Sequence, residues 1–184
     1  KLVDETWPKA VDEMMVVRTP EQKRFRAETI IDLLIPEYLK DMRFLDVGCG
    51  DGSVVKIAHE RGARVAVGYD IDESLKWDVG QNPHSALVLT KQIVGLFPNQ
   101  PYDIVLMYDM LDHCPTDPIE LLVSLKDILS DRGRVYLRTH PWCSRHGAHL
   151  YEKINKAFLH LVLDDVELSR IGGYSHPFVR KITY

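Results

Sequence analysis

The stretch Leu45-Asp46-Val47-Gly48-Cys49-Gly50-Asp51-Gly52 decides the fold. A short apolar run meets an acid, three glycines then take alternate positions, and Ser53 to Gly62 (SVVKIAHERG) continues with helical periodicity to a glycine stop. The pattern predicts a strand, a tight turn and a helix. In an open parallel sheet, ligands bind beyond the carboxyl ends of the strands, and glycines at the first strand-to-helix turn let backbone approach a ligand with no Cβ in the way. A nucleotide-like ligand is expected here.

Working outward, Arg64 to Tyr69 (RVAVGY) reads as a second buried strand, and the acids Asp70, Asp72 and Glu73 suit the start of another helix. Asp70 closes that strand, a position from which a carboxylate accepts hydrogen bonds from both ribose hydroxyls of an adenosine. Ala86 to Leu89, Asp103 to Met107 and Arg134 to Arg138 are further strand-like runs. Between the last two, DPIELLVSLKDILSDRG reads as an amphipathic helix ended by Gly133. Residues 20 to 40 read as a leading helix interrupted at Pro36. The tail offers a helix over Leu150 to Leu163, a shorter one over Asp164 to Ile171, and a closing strand, Phe178 to Tyr184, that pairs antiparallel at the sheet edge. Alternating strands and helices predict an α/β fold with a mostly parallel central sheet, helices on both faces and right-handed crossovers.

The 184 residues, 45% hydrophobic and 27% charged, suit one globular domain, and no repeat or low-complexity linker divides them. One domain is expected over residues 1–184, comprising a helical lead-in (1–40), a cofactor-binding core (41–138) and a substrate-side tail (139–184). The chain opens at Lys1 without an initiator Met, and trimmed ends are allowed for. Three scattered cysteines, Cys49, Cys114 and Cys143, are poor material for a disulfide framework and favour a reducing, cytoplasmic setting. No apolar run is long enough to cross a bilayer, so a soluble protein is expected. The net charge of −4 divides unevenly: Arg132 to Tyr184 holds nine Lys and Arg against four Asp and Glu, with five of the eight His. That basic portion suits an anionic partner such as a nucleotide, nucleic acid or phosphorylated metabolite, or is simply a solvated face.

The spacing Gly48-x-Gly50-x-Gly52 departs from the G-x-G-x-x-G of dinucleotide binders, and Asp51 would sit badly beside a phosphate. Acids at Asp46 and Asp51 suit a ligand carrying positive charge, as a sulfonium and an α-amino group do. At this point the residues resemble class I, Rossmann-like S-adenosylmethionine-dependent methyltransferases. LDVGCGDG is similar to that family's first motif and GYDID, Gly68 to Asp72, to its second. YDIVLMYDMLDHCPTDP, Tyr102 to Pro118, is similar to the fourth-strand region of the small "LEH" branch, and LKDILSDRGRVYLRTHP, Leu125 to Pro141, to its helix-turn-strand. The resemblance covers about residues 28 to 141 and is nearly silent on the acceptor.

The resemblance implies that Asp46, Gly48, Cys49, Gly50 and Gly52 line the amino-acid end of S-adenosyl-L-methionine, that Asp70 holds the ribose and that Ile71 packs on the adenine. Where the family often places an Asp near the adenine amino group, this chain has Thr90, Lys91 or Gln92, of which Lys91 is taken as the contact. Tyr108 and Asp109 follow the fourth strand, where methyl donor and acceptor usually meet, and His113 occupies the histidine of "LEH" with Asp112 in place of Glu. Methyl transfer is an in-line displacement that mainly needs donor and acceptor held collinear; a base helps where the acceptor loses a proton. Candidate bases are Asp109, His113, His140 and Tyr108, each of which also has a purely structural reading.

Thr139 to Tyr151 (THPWCSRHGAHLY) has no counterpart in the family motifs and is the acceptor-side candidate: Trp142 to cover a ring, Arg145 and His146 to grip an anion. His140, Cys143, His146 and His149 recur every three residues, which invites a zinc reading; closed zinc sites gather separated ligand pairs, so no metal is expected. An Asn or Asp followed by Pro-Pro-Tyr, typical of exocyclic-amine methylation, is missing after the fourth strand, as is the Pro-Cys nucleophile of cytosine C5 enzymes. The expected activity is methyl transfer to O or N of a small or nucleotide-like acceptor, anionic ones included. The alternative is a degenerate methyltransferase fold serving as a binding or scaffolding subunit.

Overall fold

The computed structural model describes residues 6–11, 18–72, 74–75, 87–90, 101–114, 117–145, 147, 149–151 and 153–172. They gather into two compact units, where the sequence leads one to expect a single domain. The larger comprises residues 18–110 and 116–138; the smaller comprises 1–17, 111–115 and 139–184.

In the larger unit, α1 spans Pro20–Leu34 and starts from a capping box. Thr19 Oγ1 accepts the Gln22 amide at 3.3 Å and Gln22 Oε1 accepts the Thr19 amide at 2.9 Å. The helix buries Ala27, Ile30 and Ile31 along one face. It stops at Leu34, at the interruption expected from Pro36, because a residue before proline avoids the helical region, and Ile35 is extended. The strand β1, Arg43–Val47, is buried at every position, as a central strand covered on both faces must be. The helix α2, Ser53–Glu60, follows, then β2, Val65–Tyr69, β3, Leu87–Thr90, and β4, Tyr102–Tyr108.

The short α3, Pro118–Ser124, is capped by the Asp117 carboxylate on the Ile119 and Glu120 amides. Here the structure corrects the sequence reading, which carried this helix to Gly133. A 3-10 turn over Leu125–Ile128 replaces its end, and β5 already begins at Leu129 and runs to Arg138. Ser130 Oγ donates to Asp103 at 2.9 Å, and the register with β4 slips between Tyr102 and Ile104, so residues 129–133 form an irregularity in the strand. A Cβ on Gly133 would stand 2.7 Å from the Tyr102 carbonyl oxygen, so this glycine permits a close strand approach and does not cap a helix.

All five strands pair in parallel, in the order β3-β2-β1-β4-β5. The order reverses between β1 and β4, and the crevice beyond the carboxyl ends of those two strands is where such sheets bind ligands. The expected antiparallel edge strand over Phe178–Tyr184 lies outside the described residues, as does most of the helix expected after Asp72.

The smaller unit has its own core of Leu150, Leu159 and Leu168, with Trp7, Trp142, Ile154 and Leu163 packed on it. The helix expected over Leu150–Leu163 is not formed among the described residues of that range, which hold turns and a 3-10 turn, Leu159–Leu161. Asn155 is instead a tether, its Oδ1 accepting the Ala10 and Val11 amides at 2.8 Å and its Nδ2 donating to the Val11 carbonyl. Trp7 Nε1 donates to the Ala157 carbonyl, and Phe158 takes a left-handed φ of 57° that a helix cannot carry. The expected last helix does form, as α4, Asp165–Gly172.

Candidate cofactor and acceptor site

The turn after β1 is built from left-handed glycines: φ is 80° at Gly48, 53° at Gly50 and 75° at Gly52, the residue that caps α2. The Gly48 and Cys49 amides both donate to the Tyr69 carbonyl, which holds the turn against the end of β2. A Cβ on Gly48 would meet Met110 Cβ at 2.6 Å, whereas one on Gly50 would meet nothing within 4 Å. The first glycine is thus required by packing and the second faces open space. Asp70 completes the turn: Oδ2 accepts the Gly50 amide at 2.8 Å and Oδ1 the Asp72 amide at 2.9 Å. An ionised carboxylate offers about four lone-pair sites, so two backbone bonds leave capacity for further donors. Ile71, the next residue, is half exposed.

Asp46 is buried at the end of β1, and burial, reinforced by Asp70 and opposed by Arg26, pushes its carboxyl up to about 7. Among the described residues no cationic side chain forms an ion pair with Asp46, so its buried carboxyl is a place for a positively charged ligand group. Asp51 already has one, since Lys23 Nζ lies 3.1 Å from its Oδ2. Cys49 is buried, and burial with the Asp46 and Asp70 charges drives its thiol well above the ordinary range, so it is a neutral wall and not a nucleophile. The residues present therefore fit a cofactor with an open-backbone approach, a ribose and a cationic end.

At the end of β4 the Tyr108 ring lies under two guanidinium groups, Arg26 at 5.0 Å and Arg138 at 4.7 Å from its centroid. Arg138 also donates to the Tyr108 hydroxyl and to Asp109 Oδ2, the latter at 2.9 Å, and Asp109 takes a left-handed φ of 52°. Arg26 and Arg138 were missing from the sequence reading. Arg26 is partly buried and Arg138 exposed, and neither carried a local signal of the ring it meets.

The smaller unit brings Asp112, His113 and His149 together. Asp112 is buried; its Oδ1 accepts from Thr139 Oγ1 at 3.0 Å, and its Oδ2 lies 3.1 Å from His149 Nε2 and 3.4 Å from His113 Nε2. Burial acts to raise this carboxyl, but the His149 hydrogen bond, His113 and Thr139 together hold it below the usual range. The His113 and His149 rings meet edge-on at 4.5 Å, and His140 stands 6.2 Å from His149. Trp142 packs edge-on against His160 at 4.8 Å, and Arg145 and Cys143 are exposed. Lys91 and His146 lie outside the described residues.

The chain matches the family described as "Methyltransferase domain" over residues 21–171, most of its length. It belongs to that family, within the class I S-adenosylmethionine-dependent methyltransferases. It is 30% identical over 108 residues to a ubiquinone biosynthesis O-methyltransferase of Leptothrix cholodnii, covering 55% of this chain and 45% of the relative. Over 123 residues it is 32% identical to a tRNA U34 carboxymethyltransferase of Tolumonas auensis, covering 62% and 37%. The chain thus spans less than half the length of these curated relatives. The fold is similar to that of a solved S-adenosylmethionine-dependent methyltransferase from Mesorhizobium loti, with a TM-score of 0.53 at 23% identity over 66% of this chain and 57% of that one. Among the described residues no helix is long and apolar enough to cross a membrane.

Proposed function

We propose that the chain catalyses methyl transfer from S-adenosylmethionine to an oxygen or nitrogen of a small or nucleotide-like acceptor, anionic acceptors included. One observation carries the reading: a buried, cation-seeking carboxyl at Asp46, an open backbone at Gly50 and a doubly anchored carboxylate at Asp70 converge on one turn. The bound cofactor supplies an electrophilic methyl group on a positively charged sulfur. Asp46 receives the α-ammonium group, the glycine turn admits the amino-acid end, Asp70 accepts the ribose hydroxyls, and Ile71 packs on the adenine. Lys91 is proposed beside the adenine.

Tyr108 and Asp109, braced by Arg138, orient the donor side. Where the acceptor has a proton to lose, the imidazole of His113 or His140 is the suitable type of group near neutral pH. Trp142, Arg145 and His146 are proposed to hold the acceptor, and the basic residues from Arg132 onward favour an anionic one. The names of the two relatives, one an O-methyltransferase and one acting on a tRNA nucleotide, support this acceptor range. The family match runs across both compact units, which supports reading them as one methyltransferase domain.

The test is release of S-adenosylhomocysteine in the presence of hydroxylated aromatic acids, nucleotides and short RNAs. Acceptor-dependent release, with Arg145→Ala raising the acceptor KM and leaving cofactor affinity intact, is the expected result. Equal loss of both in that variant would remove Arg145 from the acceptor side. Cofactor binding without turnover on any acceptor would favour the scaffolding alternative.

A further inference from the structure

We propose that Asp112, His113 and His149 form a binding site for one divalent transition-metal ion of the zinc class. The site rests on side chains of the smaller unit alone and not on the cofactor reading. One carboxylate oxygen and two imidazole nitrogens converge, with all three ligand atoms within 4.8 Å of one another. In tetrahedral zinc sites, bonds of about 2.0 to 2.2 Å set neighbouring ligand atoms roughly 3.3 to 3.5 Å apart. Asp112 Oδ2 lies 3.1 Å from His149 Nε2 and 3.4 Å from His113 Nε2, both near that spacing, and the two imidazoles offer nitrogens within 4.8 Å of each other, close enough to turn toward one ion.

The surroundings are those of a ligand set. The Thr139 hydroxyl occupies the other oxygen of Asp112, the kind of outer hydrogen bond that fixes a ligating carboxylate. Asp112 and His149 are buried and His113 is a quarter exposed. Two nitrogens and one oxygen suit zinc and its first-row neighbours; magnesium and calcium favour all-oxygen sets. Three protein ligands leave a fourth position for water or an acceptor oxygen. Ion binding displaces any protons held on the two Nε2 atoms, and it makes His113 a ligand instead of a base. The tight His140, Cys143, His146, His149 run contributes one residue to this set; the others come from the 3-10 turn Leu111–His113.

The experiment is titration of the full chain, free of any affinity tag, with Co2+ read by its visible absorption and then with competing Zn2+. One equivalent with a nitrogen and oxygen spectrum is expected. His113→Ala and His149→Ala should each weaken Co2+ binding on the order of 100-fold with the far-UV circular dichroism unchanged, while Cys143→Ser leaves it unaltered. Absence of binding by the folded chain, undiminished binding in both histidine variants, or a sulfur-to-cobalt charge-transfer band would each overturn the proposal. S-adenosylhomocysteine affinity measured on the same samples reports the cofactor reading separately.

Discussion

The Asp70 carboxylate accepts the Gly50 amide at 2.8 Å, which ties the end of β2 to the glycine turn that follows β1. The residue assigned to the ribose therefore also shapes the turn that admits the rest of the cofactor. Asp70→Ala removes both functions and should weaken S-adenosylhomocysteine binding by about 1.5 to 3 kcal/mol, the usual cost of lost charge-assisted hydrogen bonds. Asp70→Asn keeps one carbonyl oxygen for an amide and should fall between. Calorimetry on both variants checks this; equal affinity in Asp70→Ala and the parent chain would place the ribose elsewhere.

Gly48 and Gly50 should separate stability from binding. Gly48→Ala forces a Cβ within 2.6 Å of Met110 Cβ at a φ of 80°, and a loss of about 2 to 4 kcal/mol in denaturant unfolding is expected. Gly50→Ala meets no atom within 4 Å and costs about 1 to 2 kcal/mol through its left-handed φ alone, yet it fills space assigned to the cofactor. It should remain folded and bind S-adenosylhomocysteine at least tenfold more weakly. The reverse ranking in stability would contradict the packing described.

Asp46 gives a pH signature. Its carboxyl is raised from 3.8 to about 7 in the folded chain, so between those values the folded state holds a proton that the unfolded state has released. Stability is therefore greatest at the acid end of that window and falls as pH rises through about 7. Asp46→Asn should flatten this slope. A cationic ligand end favours the ionised carboxylate, so cofactor binding below about pH 7 should release a proton, read as a buffer-dependent binding enthalpy.

In the smaller unit, Asn155→Ala removes the three hydrogen bonds to Ala10 and Val11 and should destabilise the chain by about 1.5 to 3 kcal/mol. Hydrogen exchange should show faster exchange at the Ala10 and Val11 amides. Protection equal to the parent would show that Asn155 is not what holds residues 8–11.

The sequence showed most of the sheet because its strands carry short runs rich in β-branched, aromatic and other apolar residues between turn signals, as in Val65–Tyr69 and within Tyr102–Tyr108. It misled at 125–133, where helical periodicity continued locally while the pairing with Asp103 and Tyr102 drew the chain into the strand. It misled again at 150–163, where Asn155 spends its side chain on a distant segment instead of facing solvent from a helix. The glycine turn and Asp70 were legible because their chemistry is local. Arg26 over Tyr108 and His149 on Asp112 were not, since residues 82 and 37 positions apart meet through tertiary structure alone.

The most direct test is calorimetric titration of the purified chain with S-adenosylmethionine and S-adenosylhomocysteine. Saturable one-site binding of both, lost or strongly weakened in Asp70→Ala, is the expected result. A folded chain that binds neither compound would contradict the assignment of the Gly48 to Gly52 turn as a cofactor site.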